Sequence, residues 1–372
     1  HELPVFQKMF GVSNEERESV IRVMAENSVE ATGSMGDDTP IAVLSRQCRP
    51  VYDYFRQQFA QVTNPPIDSL RERSAMSLET LIGREHNIFQ ETHTQAHRVV
   101  LPWPVLNVVK YRKLLELDQR WYKNASFSLN YDLEEGLEAA LKRLSGEVSE
   151  AVADGAVVIV LTDRDIAQGK IPMHAALATG AVHQRLIHDG LRCDCNIVVE
   201  TGTARDSHHF AVLFGLGATV VYPYLAFQVI NDLHAKGALK GDLLDSRKHY
   251  RRGARKGLLK ILSKMGISCV TSYRGAQLFE AVGLGKEITD LCCPGAAGNI
   301  DGAGFREIEA DQVKLAQDAW NFGHPISQGG LLKFSWGGEY HAYNPDVVTT
   351  LQKAVQSGEK RDYDVFAALI LS

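Results

Sequence analysis

The sequence predicts an α/β fold built on a parallel sheet, either as a degenerate (β/α) barrel or as an open sheet with flanking helices, with an irregular N-terminal part. Short apolar segments without polar alternation predict strands that are buried on both faces. Amphipathic segments between them predict helices, and strands that alternate with helices form parallel sheets. The predicted strands are residues 156–163, 195–202, 218–224 and 267–275.

The N-terminal part begins with a predicted helix over residues 13–31. Ser13 and Glu16 form the S-x-x-E pattern of a capping box, in which each residue satisfies a free backbone N–H at the helix start. The segment "GSMGDDTP" ends this helix, and "IAVLS" after it has the apolar character of a short strand.

A second helix is predicted over residues 50–62, because three apolar residues recur at intervals of four. The two prolines of "TNPP" (63–66) end it, since proline has no backbone N–H and disfavours helical geometry before it. The three apolar residues are Val51, Phe55 and Phe59.

The later helices separate the predicted strands. The first of them ends at Gly155, a residue type that commonly follows the last helical residue. Residues 67–125 carry no clear pattern, and the glycine-rich chain from 283 onward shows no repeat. The predicted helices of this part are residues 133–155, 173–190, 207–217 and 256–266.

Composition and charge exclude several classes of protein. The chain has 372 residues, 45% of them hydrophobic and 23% charged, with a net charge of −5. That length suggests two domains or one large α/β unit. The negative charge does not indicate a nucleic-acid partner, no apolar stretch is long enough for a membrane span, and the N-terminus lacks signal-peptide features.

Six cysteines are present, and their spacing matches no zinc or iron–sulfur pattern. We interpret them as mostly buried free thiols, which predicts a reducing compartment and a cytoplasmic location. They are residues 48, 193, 195, 269, 292 and 293.

Polar residues follow several of the predicted strands and form a candidate rim for a ligand. In parallel α/β sheets the loops at the carboxyl ends of the strands commonly hold the ligand. One hypothesis is therefore an independent barrel-like enzyme that acts through Asp163, Glu200 and Arg274. The full rim consists of Thr162, Asp163, Arg164, Glu200, Thr201, Tyr222, Ser272 and Arg274.

Asp37 and Asp38 raise the question of a metal site. Magnesium and calcium need more oxygen ligands than two neighbouring aspartates supply. Carboxylates between a glycine turn and a Thr-Pro are more typical of turn and cap acceptors, so a structural role is favoured.

Histidines and glycines give further weak candidates. His93 and His97 are four apart without a third ligand, and His208-His209 open a predicted helix, where packing is favoured over chemistry. The loop "GAAGNIDGAG" matches no phosphate-binding pattern. The basic segment 247–264 is interpreted as a solvated helix face or a contact with another domain.

Four long segments resemble the central domain of the glutamate synthase large subunit, and the resemblance extends over nearly the whole chain. The tail containing "GGEYHAYNP" (337–345) is similar to the entry to the flavin-binding synthase domain of that family. The four segments are "GSMGDDTPIAVLS", "FAQVTNPPIDSLRE", "NIVVETGTARDSHHFAVLFGLGATVVYPYLAFQVI" and "KGLLKILSKMGISCVTSYRGAQLFEAVGL".

The resemblance implies a role in a larger enzyme. In that family an amidotransferase domain hydrolyses glutamine through an N-terminal cysteine, and ammonia travels through a tunnel to an FMN barrel. There it adds to 2-oxoglutarate, and electrons from an iron–sulfur cluster reduce the product to glutamate. The central domain lies between the two active sites, binds no cofactor and contributes wall to the tunnel.

By resemblance, residues 1–325 are the central domain and residues 326–372 the truncated start of the synthase domain. Because His1 is not a cysteine and the chain stops before the flavin barrel, we expect a non-catalytic fragment without a cofactor of its own. Its partners are then the amidotransferase and synthase domains of the same polypeptide, with ammonia in transit. The electron donor stays open between NAD(P)H through a further subunit and ferredoxin, which would imply a plastid in plants or algae.

The resemblance also assigns the wall of the passage. Met35 and Thr63 are expected to line it, with Ser34, Asn64 and Ile67 behind them. Asp37 and Asp38 are expected to hold the turn rigid without touching ammonia, because a preorganised wall depends on the residues that support it. The alternative is that Met35 and Thr63 only pack at a domain interface.

Overall fold

A parallel sheet of four strands forms the centre of the computed structural model, which describes residues 2–32, 45, 47–60, 67–331, 333–339, 341 and 343–371. The strand order is β4 (Asn124–Ser128), β6 (Val158–Thr162), β8 (Asn196–Glu200) and β9 (Val220–Tyr222). Thr162 of β6 is level with Glu200 of β8, so the carboxyl ends of these strands meet at one edge. Every residue of β6, β8 and β9 is buried, which confirms the prediction of strands covered on both faces.

The described residues form eleven strands of three to seven residues each. They are β1 Phe55–Gln57, β2 Thr80–Ile82, β3 Val99–Leu101, β4 Asn124–Ser128, β5 Asn130–Asp132, β6 Val158–Thr162, β7 Lys170–Pro172, β8 Asn196–Glu200, β9 Val220–Tyr222, β10 Phe279–Leu284 and β11 Ala297–Ala303.

The helices surround this sheet and extend beyond it. They are α1 Glu2–Met9, α2 Asn14–Glu16, α3 Arg22–Asn27, α4 Glu72–Ala75, α5 Val108–Leu115, α6 Gln119–Tyr122, α7 Leu137–Ala153, α8 Ala175–His188, α9 Ser207–Gly215, α10 Tyr224–Ala235, α11 Leu243–Met265, α12 Val270–Tyr273, α13 Lys286–Cys292, α14 Phe305–Trp320, α15 Pro345–Ser357 and α16 Lys360–Leu371. A π-helical turn, Arg17–Ile21, joins α2 to α3.

The first predicted helix is confirmed in position, and its cap is half of the expected capping box. The Ser13 hydroxyl accepts the N–H of Glu16 at 3.1 Å. The Glu16 carboxylate does not return to the backbone of Ser13, since it pairs with Arg205 instead. A local capping signal thus also supplies a long-range contact.

Two predictions of secondary structure are wrong. The predicted helix 50–62 is not found in its described part, residues 50–60: a 3₁₀ turn, Val51–Tyr54, leads into β1, which pairs antiparallel with β10. The spacing of four misled the prediction because Phe59 is 93% exposed and Phe55 lies in the strand. Residues 267–275 do not form a strand, because Val270 and Tyr273 are buried three positions apart on the short helix α12.

The glycine-rich segment 297–303 forms strand β11 beside β10. A Cβ atom at Gly302 would lie 2.3 Å from the carbonyl oxygen of Gly283, and one at Gly298 would lie 2.7 Å from that of Ala281. Glycine is needed here because the two backbones approach closely.

All six cysteines are free, and three of them, Cys195, Cys292 and Cys293, are buried, whereas Cys193 is exposed. Among the described residues, no helix combines the length and the apolar character that crossing a membrane requires.

Candidate functional site

Asp163 is the first residue after β6 and is completely buried. Its carboxylate accepts the Thr201 hydroxyl at 2.5 Å and the Gly202 N–H at 2.9 Å. Burial raises the pKa of Asp163 to about 7, although these hydrogen bonds act in the opposite direction. Burial raises the pKa of Tyr224 well above its usual value, and the charge of nearby Asp163 adds to this rise. The Tyr224 hydroxyl forms no hydrogen bond of normal geometry within the described chain.

Glu200 ends β8 and is held by three donors. Its carboxylate accepts the hydroxyls of Tyr111, at 3.0 Å, and Thr162, at 2.8 Å. Arg164 donates to the other oxygen at 3.0 Å, and its guanidinium lies 4.8 Å from the centre of the Tyr224 ring. The Glu200 carboxylate is therefore fixed in place by the protein itself.

The predicted rim is therefore present at the carboxyl ends of β6 and β8. Asp163 and Glu200 lie side by side, and the Asp163 N–H donates to the Glu200 carbonyl at 3.3 Å. Their carboxylates accept hydrogen bonds from different groups, which fixes each of them. A pair of carboxylates acting as general acid and base must reach a reacting atom, and here both serve to connect neighbouring strands and loops.

Arg274 is not part of this rim, which contradicts the three-residue hypothesis. Its guanidinium donates to the Thr80 hydroxyl at 2.8 Å. It lies near Arg192, which binds the carbonyls of Cys195, at 2.9 Å, and Gly217, at 2.8 Å, ahead of β8 and β9. Arg274 is therefore at the amino ends of the strands, opposite Asp163, because the segment that carries it is not a strand. Burial and the charge of Arg192 lower the pKa of Arg274 to about 10.

A buried cluster around Tyr52 was not predicted from the sequence. The hydroxyls of Tyr52 and Thr203 are hydrogen-bonded at 2.9 Å, and Thr203 is bonded in turn to Thr201 at 2.8 Å. His209 stacks on the Tyr52 ring at 4.4 Å, and the His174 ring meets its edge at 4.6 Å. In the sequence, the histidine pair His208-His209 at the start of α9 is the feature that points to this cluster.

His174 and His209 are neutral in the fold. Burial lowers the pKa of His174 and of His209 to about 3. Nδ1 of His174 accepts the N–H of Ala176 at the start of α8. Nε2 of His208 lies 2.9 Å from the Tyr52 carbonyl oxygen, which confirms that the histidine pair of α9 packs at the helix start.

Arg205 connects this cluster to the N-terminal helices. Its Nε is 2.5 Å from Glu16, and its Nη1 donates to the carbonyls of Phe10, at 3.2 Å, and Gly202, at 2.9 Å. The Tyr250 hydroxyl donates to the Arg205 carbonyl at 2.7 Å. The loop after β8 is therefore held by α1, α2 and α11.

A cavity of about 390 Å³ opens beside this loop. It lies between the N-terminal helices, the segment 47–53 and residues 314–331. Charged groups of both signs line it, and several are paired, such as Arg49 with Asp53 at 2.9 Å. The charged residues and histidines along its wall are Lys8, Glu15, Glu16, Arg49, Asp53, Arg205, Asp206, His209, Lys314, Asp318 and His324.

Most of the predicted passage falls outside the described residues. Ser34, Met35, Asp37, Asp38, Thr63 and Asn64 all lie there. Ile67 is described: it is half-buried against the core, and its carbonyl accepts the Ser263 hydroxyl at 3.2 Å.

His93 and His97 lie on either end of a 3₁₀ turn, with ring centres 6.0 Å apart, and His97 packs on Trp121 at 4.1 Å. Within the part of the chain that the structure describes, three or more His, Cys, Asp or Glu side chains never converge as a metal site would require.

Comparison with known proteins gives a consistent result. The family profile of the glutamate synthase central domain matches residues 6–285. A glutamate synthase [NADH] of Schizosaccharomyces pombe is 37% identical over 96% of this chain and 18% of its own length. The glutamate synthase [NADPH] large chain of Azospirillum brasilense is 40% identical over 94% of this chain and 23% of its own length.

The ferredoxin-dependent glutamate synthase 2, chloroplastic, of Arabidopsis thaliana is 38% identical over 97% of this chain and 23% of its own length. The chain thus spans about a fifth of the length of the relatives it matches. On the profile match and on these identities, the chain belongs to the glutamate synthase central domain family.

Proposed function

We propose that this chain is the non-catalytic central domain of a glutamate synthase, which connects a glutaminase domain to an FMN-binding synthase domain. The parent reaction converts L-glutamine, 2-oxoglutarate and a reductant into two molecules of L-glutamate. The observation that carries the proposal is the match over residues 6–285, together with relatives that extend far beyond this region. Residues 326–372 then begin the synthase domain.

The buried polar groups support a scaffold. Asp163, Glu200 and Arg205 each make several hydrogen bonds within the protein and hold the loops after β6 and β8. A fixed arrangement of this kind suits a wall whose shape must not change. The alternative is an independent enzyme that acts through Asp163, Glu200 and Arg274. It is less well supported because Arg274 lies at the other end of the strands.

In the proposed passage, Met35 and Thr63 line the path of ammonia, with Ser34, Asn64 and Ile67 behind them. Asp37 and Asp38 accept backbone N–H groups and hold the turn. FMN and the iron–sulfur cluster belong to other parts of the parent enzyme. Electrons come from ferredoxin or a donor subunit, and the enzyme resides in the cytoplasm, or in the plastid if it is ferredoxin-dependent and of plant or algal origin.

The test is Thr63→Trp in the full-length enzyme. We expect the indole to obstruct the passage, so that glutamine hydrolysis exceeds the consumption of 2-oxoglutarate and free ammonia appears. Thr92→Trp is the matched control, because Thr92 is exposed before the 3₁₀ turn His93–Ala96 and is not among the proposed passage residues, so the ratio should stay at one to one. A folded Thr63→Trp enzyme with full coupling would overturn the tunnel assignment.

A second measurement addresses the scaffold assignment. The purified 372-residue chain should show no flavin absorbance between 300 and 500 nm and no glutamine- or ammonia-dependent formation of glutamate. A bound chromophore or measurable turnover would contradict a non-catalytic role.

A further inference from the structure

Trp103 lies against two arginines of the longest helix, α11. The guanidinium carbon of Arg251 is 4.9 Å from the centre of the indole ring, and that of Arg255 is 4.7 Å from it. Arg251 also donates from Nε, at 3.2 Å, and Nη2, at 3.1 Å, to the Val105 carbonyl. Residues 101–104, the segment "LPWP" that contains Trp103, are thereby fixed on the helix, and cation–π contacts position both charges.

These two arginines have no acidic partner in the described part of the chain, where no carboxylate oxygen lies within 4.0 Å of either guanidinium. Nε of Arg255 is buried without a hydrogen-bond acceptor there. Burial and the charge of Arg73 lower the pKa of Arg255, and burial and the charge of Arg251 lower the pKa of Lys110. Four like charges therefore approach one another on this surface.

The imbalance extends along α11. Its sequence contains eight lysines and arginines against a single acid, Asp245, which pairs with Lys248 at 2.9 Å. Arg251 and Arg255 are one helical turn apart, while Arg73 and Lys110 belong to α4 and α5. The charges are spread over three elements, which suits several carboxylates along a chain better than one compact phosphate.

We propose that Arg73, Lys110, Arg251 and Arg255 around Trp103, the basic surface, dock an acidic segment from another domain of the same parent polypeptide. Tryptophan and arginine are the residues that dominate binding energy at protein interfaces. Pro102, the sequence neighbour of Trp103, and Val109, the sequence neighbour of Lys110, are both exposed apolar residues.

The choice of occupant follows from the length of the relatives. This chain spans about a fifth of them, so most of the polypeptide lies in domains that are covalently joined to it. A covalent connection gives an effective concentration of order millimolar, which fills a weak electrostatic contact that separate molecules would leave empty. This inference rests on the proposed function, since it requires the chain to be part of that larger enzyme.

The test uses the full-length enzyme and a carbodiimide, which joins an amine directly to a carboxylate. Lys110 supplies one amine, and Arg255→Lys supplies a second while keeping the positive charge. Mixing labelled and unlabelled protein separates links within one polypeptide from links between two. We expect both amines to link to the same acidic segment outside residues 1–372 of the same polypeptide.

Added salt and charge reversal test whether the cross-links depend on electrostatic attraction. The Debye length falls from about 10 Å at 0.1 M salt to about 3 Å at 1 M, so the yield of these links should fall about threefold or more. Arg251→Glu should lower the yield from Lys110 to a similar extent. Arg252→Glu is the control, because Arg252 is an exposed neighbour on the same helix and is not stacked on Trp103.

Links only between two molecules, or no links from either amine, would overturn the proposal. Activity separates this failure from that of the proposed function. Glutamine-dependent glutamate formation without the links would refute the docking alone. Links in a polypeptide that forms no glutamate would refute the proposed function alone.

Discussion

Glu16 and Arg205 are 189 positions apart in the chain, and their side chains meet at 2.5 Å. The pair joins the second helix to the loop that follows β8. Arg205 is almost fully buried, and Glu16 is mostly buried. Burial raises the pKa of Glu16 despite the attraction of Arg205. Keeping the Glu16 carboxylate charged in the interior therefore costs free energy that the pairing offsets in part.

Glu16→Gln should lower the free energy of unfolding by about 3 kcal/mol, because it leaves the buried Arg205 charge without a counter-ion. Urea denaturation of the chain at neutral pH measures this. Glu18→Gln is the control: Glu18 lies in the adjoining π-helical turn and forms an exposed pair with Arg22, and its loss should cost less than about 1 kcal/mol. Equal effects of the two substitutions would show that the buried pair contributes no more to the free energy of unfolding than the exposed pair.

His174 should make the fold sensitive to acid. The unfolded chain takes up its proton near pH 6.5, whereas the folded chain does so only near pH 3, since burial lowers the pKa of His174. The unfolded state therefore binds more protons between these values, and stability falls with decreasing pH by about 1.4 kcal/mol per unit from this group.

His174→Asn keeps a cap acceptor for Ala176 but cannot titrate, so its stability should fall less steeply between pH 6.5 and 4.5. Denaturant unfolding at several pH values gives the slopes. His324→Asn, at an exposed histidine, is the control variant for the effect of replacing a histidine by asparagine. A slope in His174→Asn equal to that of the original protein would refute the assignment of a buried neutral imidazole.

Asp163 should act in the opposite direction. Its pKa is about 7 in the fold against 3.8 in the unfolded chain, so the folded state binds the extra proton between those values. Stability from this group is present below pH 3.8 and is lost as pH rises toward 7, by up to about 1.4 kcal/mol per unit.

Asp163→Asn should therefore gain stability relative to the original protein as pH rises from 4 to 7, while Asp165→Asn, at an exposed neighbour, should not. In the full-length enzyme Asp163→Asn should still form glutamate. Loss of activity in a folded Asp163→Asn enzyme would make the rim catalytic.

Gly217 should not tolerate a side chain. Its φ is +110°, and a Cβ atom there would lie 2.3 Å from the ring of His183, which is held by Arg192 at 2.8 Å. Gly217→Ala should cost about 3 kcal/mol through backbone strain and overpacking.

Gly241 also has a positive φ, of +88°, but open space around it, so Gly241→Ala should cost only about 1 kcal/mol. Thermal unfolding of both variants isolates the contact with His183. Similar costs for the two would mean that His183 moves aside.

Local hydrophobic patterns predict secondary structure correctly where tertiary packing favours the same element. The run from Val158 to Leu161 is apolar throughout because both faces of β6 are covered, whereas a strand with one face in solvent would alternate apolar with polar residues. The strand prediction around Val270 is wrong because β-branched residues favour strands only weakly. The burial of Val270 and Tyr273 on one side of the short helix α12 outweighs that preference.

The site was less predictable than the sheet. Asp163 and Glu200 could be placed together because consecutive parallel strands bring their ends together. The contacts of Arg205 with Phe10 and Glu16 depend on helices at the start of the chain, and no local pattern encodes such a distance. The family resemblance supplied the expected passage, which the rim residues alone did not indicate.

Ser327, Leu331 and Lys333 lie along the start of the second helix. The N–H of Asn14 donates to the Ser327 carbonyl at 2.8 Å, and the Glu15 carboxylate accepts the N–H groups of Leu331, at 2.7 Å, and Lys333, at 2.9 Å. Residues more than 310 positions apart in the chain are thus joined through backbone groups, so a substitution in either segment also acts on how firmly the other is held.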